Sequence, residues 1–327
     1  MKKIIAMILV LVLAMSLVAC GSNGGSSDGD QKTVGVCIYK YDDNFMTTYR
    51  EYLQKQLDAK GYKVTVVDGK NDQATQNQQI DNFIAEGVDA LIINPVMTSA
   101  ADAIVEKVQK ANIPTVLINR EPEAEELTGY DKITYVGCDA AQSGTFQGEL
   151  ILDTPNKGDI NGDGKISYIM IQGDPENVDA RLRTEYSVKA LTDAGVEVEQ
   201  LNLTRGDWDQ SKGQQICAND LSQFGDKVEV VFCNNDAMAL GALEAITAAS
   251  RTVGTDIYLV GVDALPDALD KVKEGTMTGT VLNDAKGQAD KAIEVMEMLL
   301  KGESVEKQYY VPYVKVTAAN VDEFING

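Results

Sequence analysis

The chain has 327 residues, of which 44% are hydrophobic and 24% charged, a composition typical of a folded globular protein. Its 50 acidic and 29 basic residues give a formal net charge of -21 at pH 7, which repels the phosphate backbone of nucleic acids. We therefore expect no nucleic-acid partner, and we assign the acidity to solubility outside the cell. The absence of histidine from the sequence excludes histidine-based zinc sites, Ser-His-Asp triads and histidine general bases.

The N-terminal residues have the pattern of an export signal. Two lysines precede an apolar run from Ile4 to Val18, and this run is too short for a membrane span. The ending LVAC at Cys20 resembles a bacterial lipobox, in which the signal is cut before a cysteine that receives lipid; a plain signal peptide with a chance cysteine is the alternative. We expect a signal peptide over residues 1–19, lipidation of Cys20 and a flexible Gly/Ser-rich tether over residues 20–31. This predicts an exported lipoprotein on the outer face of the cytoplasmic membrane.

The remaining cysteines lie in segments with regular secondary-structure patterns. Cys37, Cys138 and Cys233 fall in apolar β-type runs, and Cys217 falls in a helical stretch. Export permits disulfides, but cysteines inside strands far apart in sequence are better explained as small buried hydrophobic residues. We therefore expect free thiols.

From Thr33 onward, short β-rich runs alternate with longer segments of helical periodicity. The first set of runs is VGVCIY, YKVTVVD, ALIINP and TVLIN, and the second is ISYIMIQG, EVEQLNL, VEVVFCNN, YLVGVD and GTVLN. Strand followed by helix, repeated, predicts parallel sheets with helices on both faces, and near-continuous apolar strands agree with burial on both sides. The sequence therefore predicts an α/β fold of two doubly wound, Rossmann-like lobes.

Polar side chains follow the predicted strands of both sets. Each alone is better explained as a helix N-cap, because Asn and Asp favour that position. Ligands of open α/β sheets bind beyond the carboxyl ends of the strands, so together these residues predict one polar cleft. Its carboxylates, amides and guanidinium suit an uncharged ligand rich in hydroxyl groups. The polar clusters are residues 39–45, 119–121, 174–183 and 234–236, Asp263, and residues 283–284.

Two aromatic residues extend this prediction. Phe45 begins a helix just after the first strand, and Trp208, the only tryptophan, lies in the polar segment RGDWDQSKG. Aromatic faces pack well against the C–H face of a pyranose, so the pair is expected to sandwich a sugar from opposite lobes. Packing of Trp208 against a loop alone is the other interpretation.

The segment DINGDGKIS has the spelling of a calcium-binding loop. Asp159, Asn161 and Asp163 alternate as oxygen donors, and Gly164 supplies the turn at the sixth place. The glutamate expected at the twelfth place is replaced by Met170. The pattern alone leaves two possibilities: a calcium site that takes its last ligand from elsewhere, or a polar turn.

Several long motifs resemble the bacterial galactose/glucose-binding proteins, the calcium-containing, substrate-binding components of sugar ABC importers. They are YKYDDNFM, NDQATQNQQID, INREP, EVVFCNNDAMALGALEA, GVDALPDAL and GTVLNDAKGQA, and the resemblance covers essentially the whole folded body. It implies a type 1 periplasmic binding protein whose two lobes are joined by a three-strand hinge. The N-terminal lobe would comprise residues 32–138 and 284–318, and the C-terminal lobe residues 139–283 and 319–327.

The resemblance also implies which residues contact the sugar. Hydrogen bonds to hydroxyl groups and the ring oxygen would come from both lobes, and an aromatic residue of each lobe would stack on the ring. The implied residues are Asp43, Phe45 and Asn119 in the first lobe, and Asp179, Arg183, Trp208, Asn235, Asp263 and Asn283 in the second.

One residue departs from the family pattern. The family has a histidine two places before the residue that corresponds to Asp179, and this chain has Asn177 there. Asparagine still donates a hydrogen bond, but with different reach, and a lost bond to a buried hydroxyl costs about 1–3 kcal/mol. The preferred epimer therefore stays open, and a binder of ribose or another small sugar is the nearest alternative.

The resemblance implies a structural calcium site at the DINGDGKIS loop. The two-oxygen ligand would be Glu229, which comes from a distant strand. Lys165 would contribute its backbone carbonyl, and Ser167, where the family commonly has glutamine, would bind directly or through water. Asp159, Asn161 and Asp163 would supply side-chain oxygens.

We expect a monomeric, lipid-anchored protein that captures D-galactose or D-glucose by hinge closure and delivers it to an ABC permease, without performing chemistry. Presentation of the sugar to a chemoreceptor or sensor kinase is an alternative that is compatible with transport. An enzyme is the competing class, for example a glycosidase that uses two of Asp43, Asp179 and Asp263. Nothing in the sequence marks an acid in an apolar pocket, which argues against it.

Overall fold

A computed structural model describes residues 31–325 of the chain. The predicted signal peptide, Cys20 and the tether up to residue 30 lie outside the described residues. Between residues 31 and 325, no helix is long and apolar enough to cross a membrane.

Strands and helices alternate along most of the described chain, with short 3₁₀ turns at 98–100, 124–127 and 225–227. The strands are β1 (Thr33–Ile38), β2 (Lys63–Asp68), β3 (Ala90–Ile93), β4 (Thr115–Ile118), β5 (Ile133–Gly137), β6 (Lys165–Gln172), β7 (Glu197–Arg205), β8 (Val230–Cys233), β9 (Tyr258–Val260), β10 (Thr280–Leu282), β11 (Gln308–Tyr310) and β12 (Val314–Val316). The helices are α1 (Asn44–Ala59), α2 (Gln73–Glu86), α3 (Ala101–Ala111), α4 (Ala140–Leu152), α5 (Val178–Asp193), α6 (Gln210–Phe224), α7 (Asp236–Ala248), α8 (Pro266–Glu274), α9 (Ala285–Leu300) and α10 (Asp322–Ile325).

The first lobe is built on a six-stranded parallel sheet with the order β11-β5-β4-β3-β1-β2. Successive side chains of a strand point to opposite faces, and β1 illustrates the consequence. Val34 and Val36 pack with α1 and α9 on one face, while Cys37 packs with α2 and α3 on the other. Burial on both faces explains why the strands of this lobe are nearly all apolar.

The second lobe is built on a four-stranded parallel sheet with the order β7-β6-β8-β9. Met170 and Phe232 pack towards α4 and α5, whereas Ile171 and Cys233 pack towards α6 and α7. Strand β10 continues this lobe through isolated parallel bridges and pairs antiparallel with β12. Both lobes therefore have the predicted doubly wound architecture.

The chain crosses between the lobes three times, between β5 and α4, between β10 and α9, and between β11 and β12. One predicted boundary differs from the strand pairing. The predicted first lobe includes residues 284–318, but β12 forms hydrogen bonds with β10 and its Val316 is buried in the core of the second lobe. The last crossing therefore lies between residues 310 and 314, because β11 still pairs with β5.

Three of these elements were absent from the predicted strands. In the sequence, β5 is visible only as an apolar run around Cys138. β11 and β12 are not visible, because three-residue strands carry little alternating pattern.

The cysteines of the described chain are free and buried, in agreement with the expected thiols; they are Cys37, Cys138, Cys217 and Cys233. Burial raises the pKa of the Cys37 thiol to about 12, so this thiol stays protonated and unreactive at neutral pH.

Candidate functional site

A cavity lies between the lobes at the carboxyl ends of both sheets, and we call it the inner cavity. It contains about 320 Å³ of empty space, including its open mouth. Every residue that was predicted to contact the sugar lines this one cavity: Asp43, Phe45, Asn119, Asn177, Asp179, Arg183, Trp208, Asn235, Asp263 and Asn283. Tyr39, Met46 and Arg120 also line it, although none of them is a predicted sugar contact.

Asp43 and Phe45 reach the inner cavity from the start of α1. Asp43 caps the helix, because its Oδ1 accepts a hydrogen bond from the backbone N–H of Met46 at 2.8 Å. The hydroxyl of Tyr39 donates to the other carboxylate oxygen. Phe45 is buried and its ring lies 6.2 Å from that of Tyr49, so the first lobe holds this aromatic face firmly.

Asn119 and Arg120 follow β4 directly. Asn119 has a left-handed backbone (φ 62°), and its Oδ1 accepts a hydrogen bond from Asn94 Nδ2 at 3.1 Å. Arg120 is only 1% exposed, and its guanidinium lies 3.9 Å from the centre of the Tyr39 ring. Among the described residues of its own lobe, this cation has an aromatic face beneath it but no carboxylate partner.

Arg183 is the centre of a buried network in the second lobe. It lies on α5, and its guanidinium donates to Ser143 Oγ at 3.2 Å, to the carbonyl oxygen of Asn234 at 2.8 Å and to the Tyr313 hydroxyl at 3.0 Å. The carboxylates of Asp179 and Asp263 lie 3.5 and 4.0 Å from it. Acceptors on three sides hold the guanidinium of Arg183 in one orientation, and this fixes its position relative to the two carboxylates.

Burial raises the pKa values of both neighbouring carboxyl groups, while the positive charge of Arg183 opposes the rise. The pKa of Asp263 is raised the more strongly, and the carboxyl of Asp236 adds to this effect. A raised pKa in a cleft is also what an acid catalyst would have. Here each carboxyl is held against the same arginine, which is the arrangement of a structural ion-pair network.

The backbone around Asp263 has an unusual conformation. Asp263 and Ala264 have φ values of 123° and 55°, which are unfavourable for residues with a side chain. The buried Asp236 stabilises this bend, since its carboxylate accepts hydrogen bonds from the backbone N–H of Leu265 at 2.9 Å and from Thr280 Oγ1 at 2.7 Å. Asn283 then donates to Asp263 Oδ1 at 3.1 Å. Asp236 belongs to the polar cluster predicted after β8, but its role at this bend has no signal in the sequence, where it reads as the ordinary first residue of a helix.

Trp208 lies between β7 and α6 with φ 66°. Its ring rests on the backbone of Gly173, where an added Cβ would come within 2.3 Å of the indole, so only glycine fits there. The guanidinium of Arg183 lies 5.7 Å from the indole ring. The tryptophan thus packs on its own lobe and also lines the inner cavity.

Several cavity residues are helix caps as well. The side-chain oxygen of Asn177 accepts a hydrogen bond from the backbone N–H of Asp179 at 3.0 Å and caps α5. Asn235 caps α7 in the same way through Met238. With its oxygen used for capping, Asn177 has its amide N–H groups left for a ligand.

The DINGDGKIS loop joins α4 to β6. Asp159 accepts hydrogen bonds from the backbone N–H groups of Gly162, Asp163 and Gly164, at 2.8, 3.1 and 3.0 Å. Asn161 Oδ1 accepts another from Asp163 at 2.8 Å. The loop is therefore folded around its own polar side chains.

Glu229, directly before β8, lies against this loop and is 1% exposed. Its carboxylate accepts hydrogen bonds from the backbone N–H groups of Ile160 at 2.7 Å, Asn161 at 3.0 Å and Ser167 at 2.8 Å. Within residues 31–325, no three Asp, Glu, Cys or His side chains converge as a metal-binding group. By type the oxygen donors suit calcium, and the loop and Glu229 are in contact.

Comparisons with known proteins agree with this architecture. A model of the periplasmic binding protein domain matches residues 34–304. The D-galactose/methyl-galactoside binding periplasmic protein of Haemophilus influenzae is 37% identical over 330 positions, which cover 97% of this chain and 98% of the relative. The ribose import binding protein of Bacillus subtilis is 30% identical over 319 positions, which cover 95% of this chain and 98% of that relative.

A solved structure has the same fold. The ABC transporter solute binding protein of Bacillus halodurans with bound myo-inositol superposes with a TM-score of 0.80 at 32% identity, covering 92% of this chain and 99% of the other. These similar proteins are binding proteins and not enzymes. The chain belongs to the periplasmic binding protein family, as an exported sugar-binding protein of the ABC importer type that is not an enzyme.

Proposed function

We propose that this protein captures D-galactose or D-glucose in the inner cavity and delivers the sugar to an ABC permease, while lipid on Cys20 holds it at the membrane. The main support is the inner cavity itself, because polar and aromatic residues of both lobes line one space. The galactoside-binding relative at 37% identity supports the choice of hexose.

The charges of the inner cavity favour an uncharged ligand. Arg183 already lies between Asp179 and Asp263, so it has no free positive charge to offer a phosphate or a carboxylate. Asp43 adds a further acidic group. Hydroxyl groups both donate and accept, and they match a lining of carboxylates, amides and guanidinium.

Capture follows from the position of the inner cavity between the lobes. The ring would lie between Phe45 of the first lobe and Trp208 of the second, with polar groups around its rim. A ligand that contacts both lobes stabilises the arrangement in which they meet, and the permease would recognise that closed form. The same form would also serve a chemoreceptor or sensor kinase.

A ribose-like sugar or a cyclitol is the second candidate. The side-chain oxygen of Asn177 accepts a hydrogen bond from the backbone N–H of Asp179, and its amide N–H groups can donate to a hydroxyl of such a ligand. Similar proteins include a ribose binder and a protein with bound myo-inositol.

Isothermal titration with D-galactose, D-glucose, D-ribose and myo-inositol separates these candidates. We expect micromolar or tighter binding of a hexose and binding at least about 100-fold weaker for the other two, a difference of about 2.7 kcal/mol. Tighter binding of ribose or myo-inositol would replace the proposed substrate, and no heat with any of the four would contradict the proposed function.

Trp208→Ala tests the aromatic contact. We expect at least about 100-fold weaker hexose binding, because the variant loses the apolar area of a stacked ring and opens the cavity to water. Calorimetry gives the affinity, and circular dichroism checks the fold. Unchanged affinity would remove Trp208 from the site.

Calcium is the proposed structural cofactor. Asp159, Asn161, Asp163 and Glu229 would supply side-chain oxygens, with Lys165 and Ser167 completing the set, and the ion would clamp the loop to β8. The hydrogen bonds between Glu229 and the loop support this grouping. The ion would neutralise carboxylates that now rely on backbone N–H groups.

Chelation and Glu229→Gln test the calcium proposal. We expect calcium to raise the melting temperature of the wild type by several degrees, since an ion at 100 times its Kd contributes about 2.7 kcal/mol. In Glu229→Gln this increase should largely vanish, and exposed Glu244→Gln serves as the control. An equal calcium effect in Glu229→Gln would exclude the remote ligand.

A further inference from the structure

A second cavity adjoins the inner one, and we call it the outer cavity. It contains about 1060 Å³ of empty space, including open solvent, and lies beside the ends of β1 and β2. Tyr39, Arg120 and Trp208 line both cavities and form the wall between them. The outer cavity is lined by many charged side chains from both lobes, among them Lys40, Asp42, Lys70, Asp174, Arg205, Asp207 and Lys212.

Arg120 is the first-lobe member of this wall, and its bonding is incomplete. Its Nη1 donates to the carbonyl oxygen of Val96, and the guanidinium stacks on Tyr39. Its Nε is buried and has no hydrogen-bond partner. No carboxylate of the first lobe pairs with this cation in the described part of the chain, so compensation for its burial must come from elsewhere.

Asp174 supplies that compensation from the second lobe. Its Oδ2 lies 3.7 Å from Arg120 Nη1, with the two side chains 13% and 2% exposed. Arg205 Nη2 holds the other oxygen at 3.2 Å, and the backbone N–H of Glu176 donates to it at 3.1 Å. A second interlobe bond lies close by, from Thr98 Oγ1 to the carbonyl oxygen of Glu176 at 3.1 Å.

Asp174 lines the outer cavity but not the inner one. It therefore has no contact with a ligand in the inner cavity, and any influence on that ligand must pass through Arg120 or through the separation of the lobes. Arg205 keeps Asp174 oriented towards the cleft before the lobes meet, because that ion pair lies entirely within the second lobe.

We propose that Arg120 and Asp174 are positioning residues that latch the two lobes together across the wall of the inner cavity. The proposal rests on the proposed sugar-binding function. Opening the lobes would break the pair and return both charges to water, whereas closing removes water and strengthens their attraction. Sugar affinity therefore includes a contribution from a carboxylate that the sugar never contacts.

Asp174→Asn tests the latch. We expect this variant to bind D-galactose about 10-fold more weakly, which is about 1.4 kcal/mol. The dissociation rate should rise by a similar factor with little change in association, since the contact forms only after the lobes meet. The control is Asp81→Asn, which removes the same charge from the 2.6 Å ion pair with Lys107 within the first lobe and should leave affinity unchanged.

A double-mutant cycle distinguishes the latch from a local effect on the second lobe. In an Arg120→Gln background, Asp174→Asn should weaken binding less than about 2-fold, because the partner is already absent. A full 10-fold effect in that background would assign the role of Asp174 to Arg205 instead. No effect in either background, with wild-type binding intact, would overturn the latch and leave the proposed function standing.

Small-angle X-ray scattering tests the latch without sugar. Sugar-free Asp174→Asn should have a larger radius of gyration than the wild type and Asp81→Asn, because the open arrangement gains population. Identical scattering of the three proteins would contradict the latch. This result does not depend on sugar binding: if no tested sugar binds, the proposed function fails, but the scattering comparison still tests the latch.

Discussion

The two lobes line the inner cavity in different ways. In the second lobe the polar groups are bonded to one another: Arg183 connects Ser143, Tyr313 and the two carboxylates, and Asn283 bonds to Asp263. In the first lobe they are bonded in separate small groups, such as Asp43 with Tyr39 and its own helix. The second lobe therefore presents a preorganised surface, and the first supplies contacts that complete it.

The difference indicates a division of roles. Changes in the second lobe should affect its stability and its affinity for sugar together, because the same bonds hold the fold and orient the ligand groups. Changes in the first lobe should alter affinity and leave stability nearly intact. Arg183→Lys and Asn119→Gly test this contrast, and Asp236→Asn tests a buried carboxyl of the second lobe that does not line the inner cavity.

Arg183→Lys is expected to have the largest effect. Lysine keeps the charge but loses the guanidinium fork that reaches Ser143, Asn234 and Tyr313 at once. We expect at least about 100-fold weaker sugar binding and a loss of about 3 kcal/mol in the free energy of unfolding, as for other broken buried pairs.

Urea denaturation and calorimetry measure the two quantities. Arg181→Lys, two positions away on α5, is the control, because Arg181 is exposed and bonds only to the carbonyl oxygen of Pro175 among the contacts described. It should change the free energy of unfolding by less than about 0.5 kcal/mol. Loss of affinity in Arg183→Lys without loss of stability would refute the shared role.

Asn119→Gly is expected to have a smaller effect, confined to affinity. Glycine tolerates the positive φ of this position, so the change removes the amide without adding backbone strain. We expect about 10-fold weaker sugar binding, equivalent to one lost hydrogen bond. The free energy of unfolding should fall by less than about 1 kcal/mol.

Asn112→Gly is the matched control, because Asn112 also has a positive φ, 57°, but ends α3 away from the inner cavity. The sugar affinity of Asn112→Gly should equal that of the wild type. A large stability loss in Asn119→Gly would mean that the first lobe is organised like the second.

Asp236→Asn is expected to have the smallest effect on affinity at pH 7, within about 3-fold, since an amide can still accept from Leu265 N–H. The substitution instead changes how the free energy of unfolding depends on pH. Burial raises the pKa of Asp236 to about 6, so the folded state favours the protonated form. The raised pKa of Asp236 therefore adds to the free energy of unfolding below the unfolded-state pKa near 4, and this addition is lost as the pH rises to 6.

The wild type should therefore lose free energy of unfolding between pH 4 and 6, by at most about 3 kcal/mol from this group. Asp236→Asn lacks this part of the decline. Asp179, Asp263 and Arg183 face the same region and contribute to both proteins, so the difference between wild type and variant isolates Asp236. Parallel urea-derived stability curves from pH 4 to 7 would contradict the assignment.

Much of the fold and of the cavity lining could be predicted from the sequence, for a physical reason. Polar residues that follow parallel strands share one edge of a sheet. Asp43, Asn119 and Asn235 are far apart in sequence, yet they line the same cavity. The roles of these residues in sugar binding remain predictions.

Other features had no local signal in the sequence. Arg120 lies in the motif INREP, but nothing in that motif distinguishes a buried guanidinium from a solvated one. Its burial depends on the Tyr39 ring and on Asp174 of the other lobe. The pairing of β12 with β10 is similarly a tertiary property, because short strands are specified by their partners rather than by propensity.

The crossing between β11 and β12 has a consequence for biosynthesis. The first sheet takes its edge strand from residues 308–310, and the second lobe takes β12 from residues 314–316. A ribosome must therefore reach residue 310 before the first half can be completed and residue 316 before the second, unlike in tandem proteins, whose leading half matures while the rest is translated. Premature termination ahead of residue 308 would leave both halves unfinished.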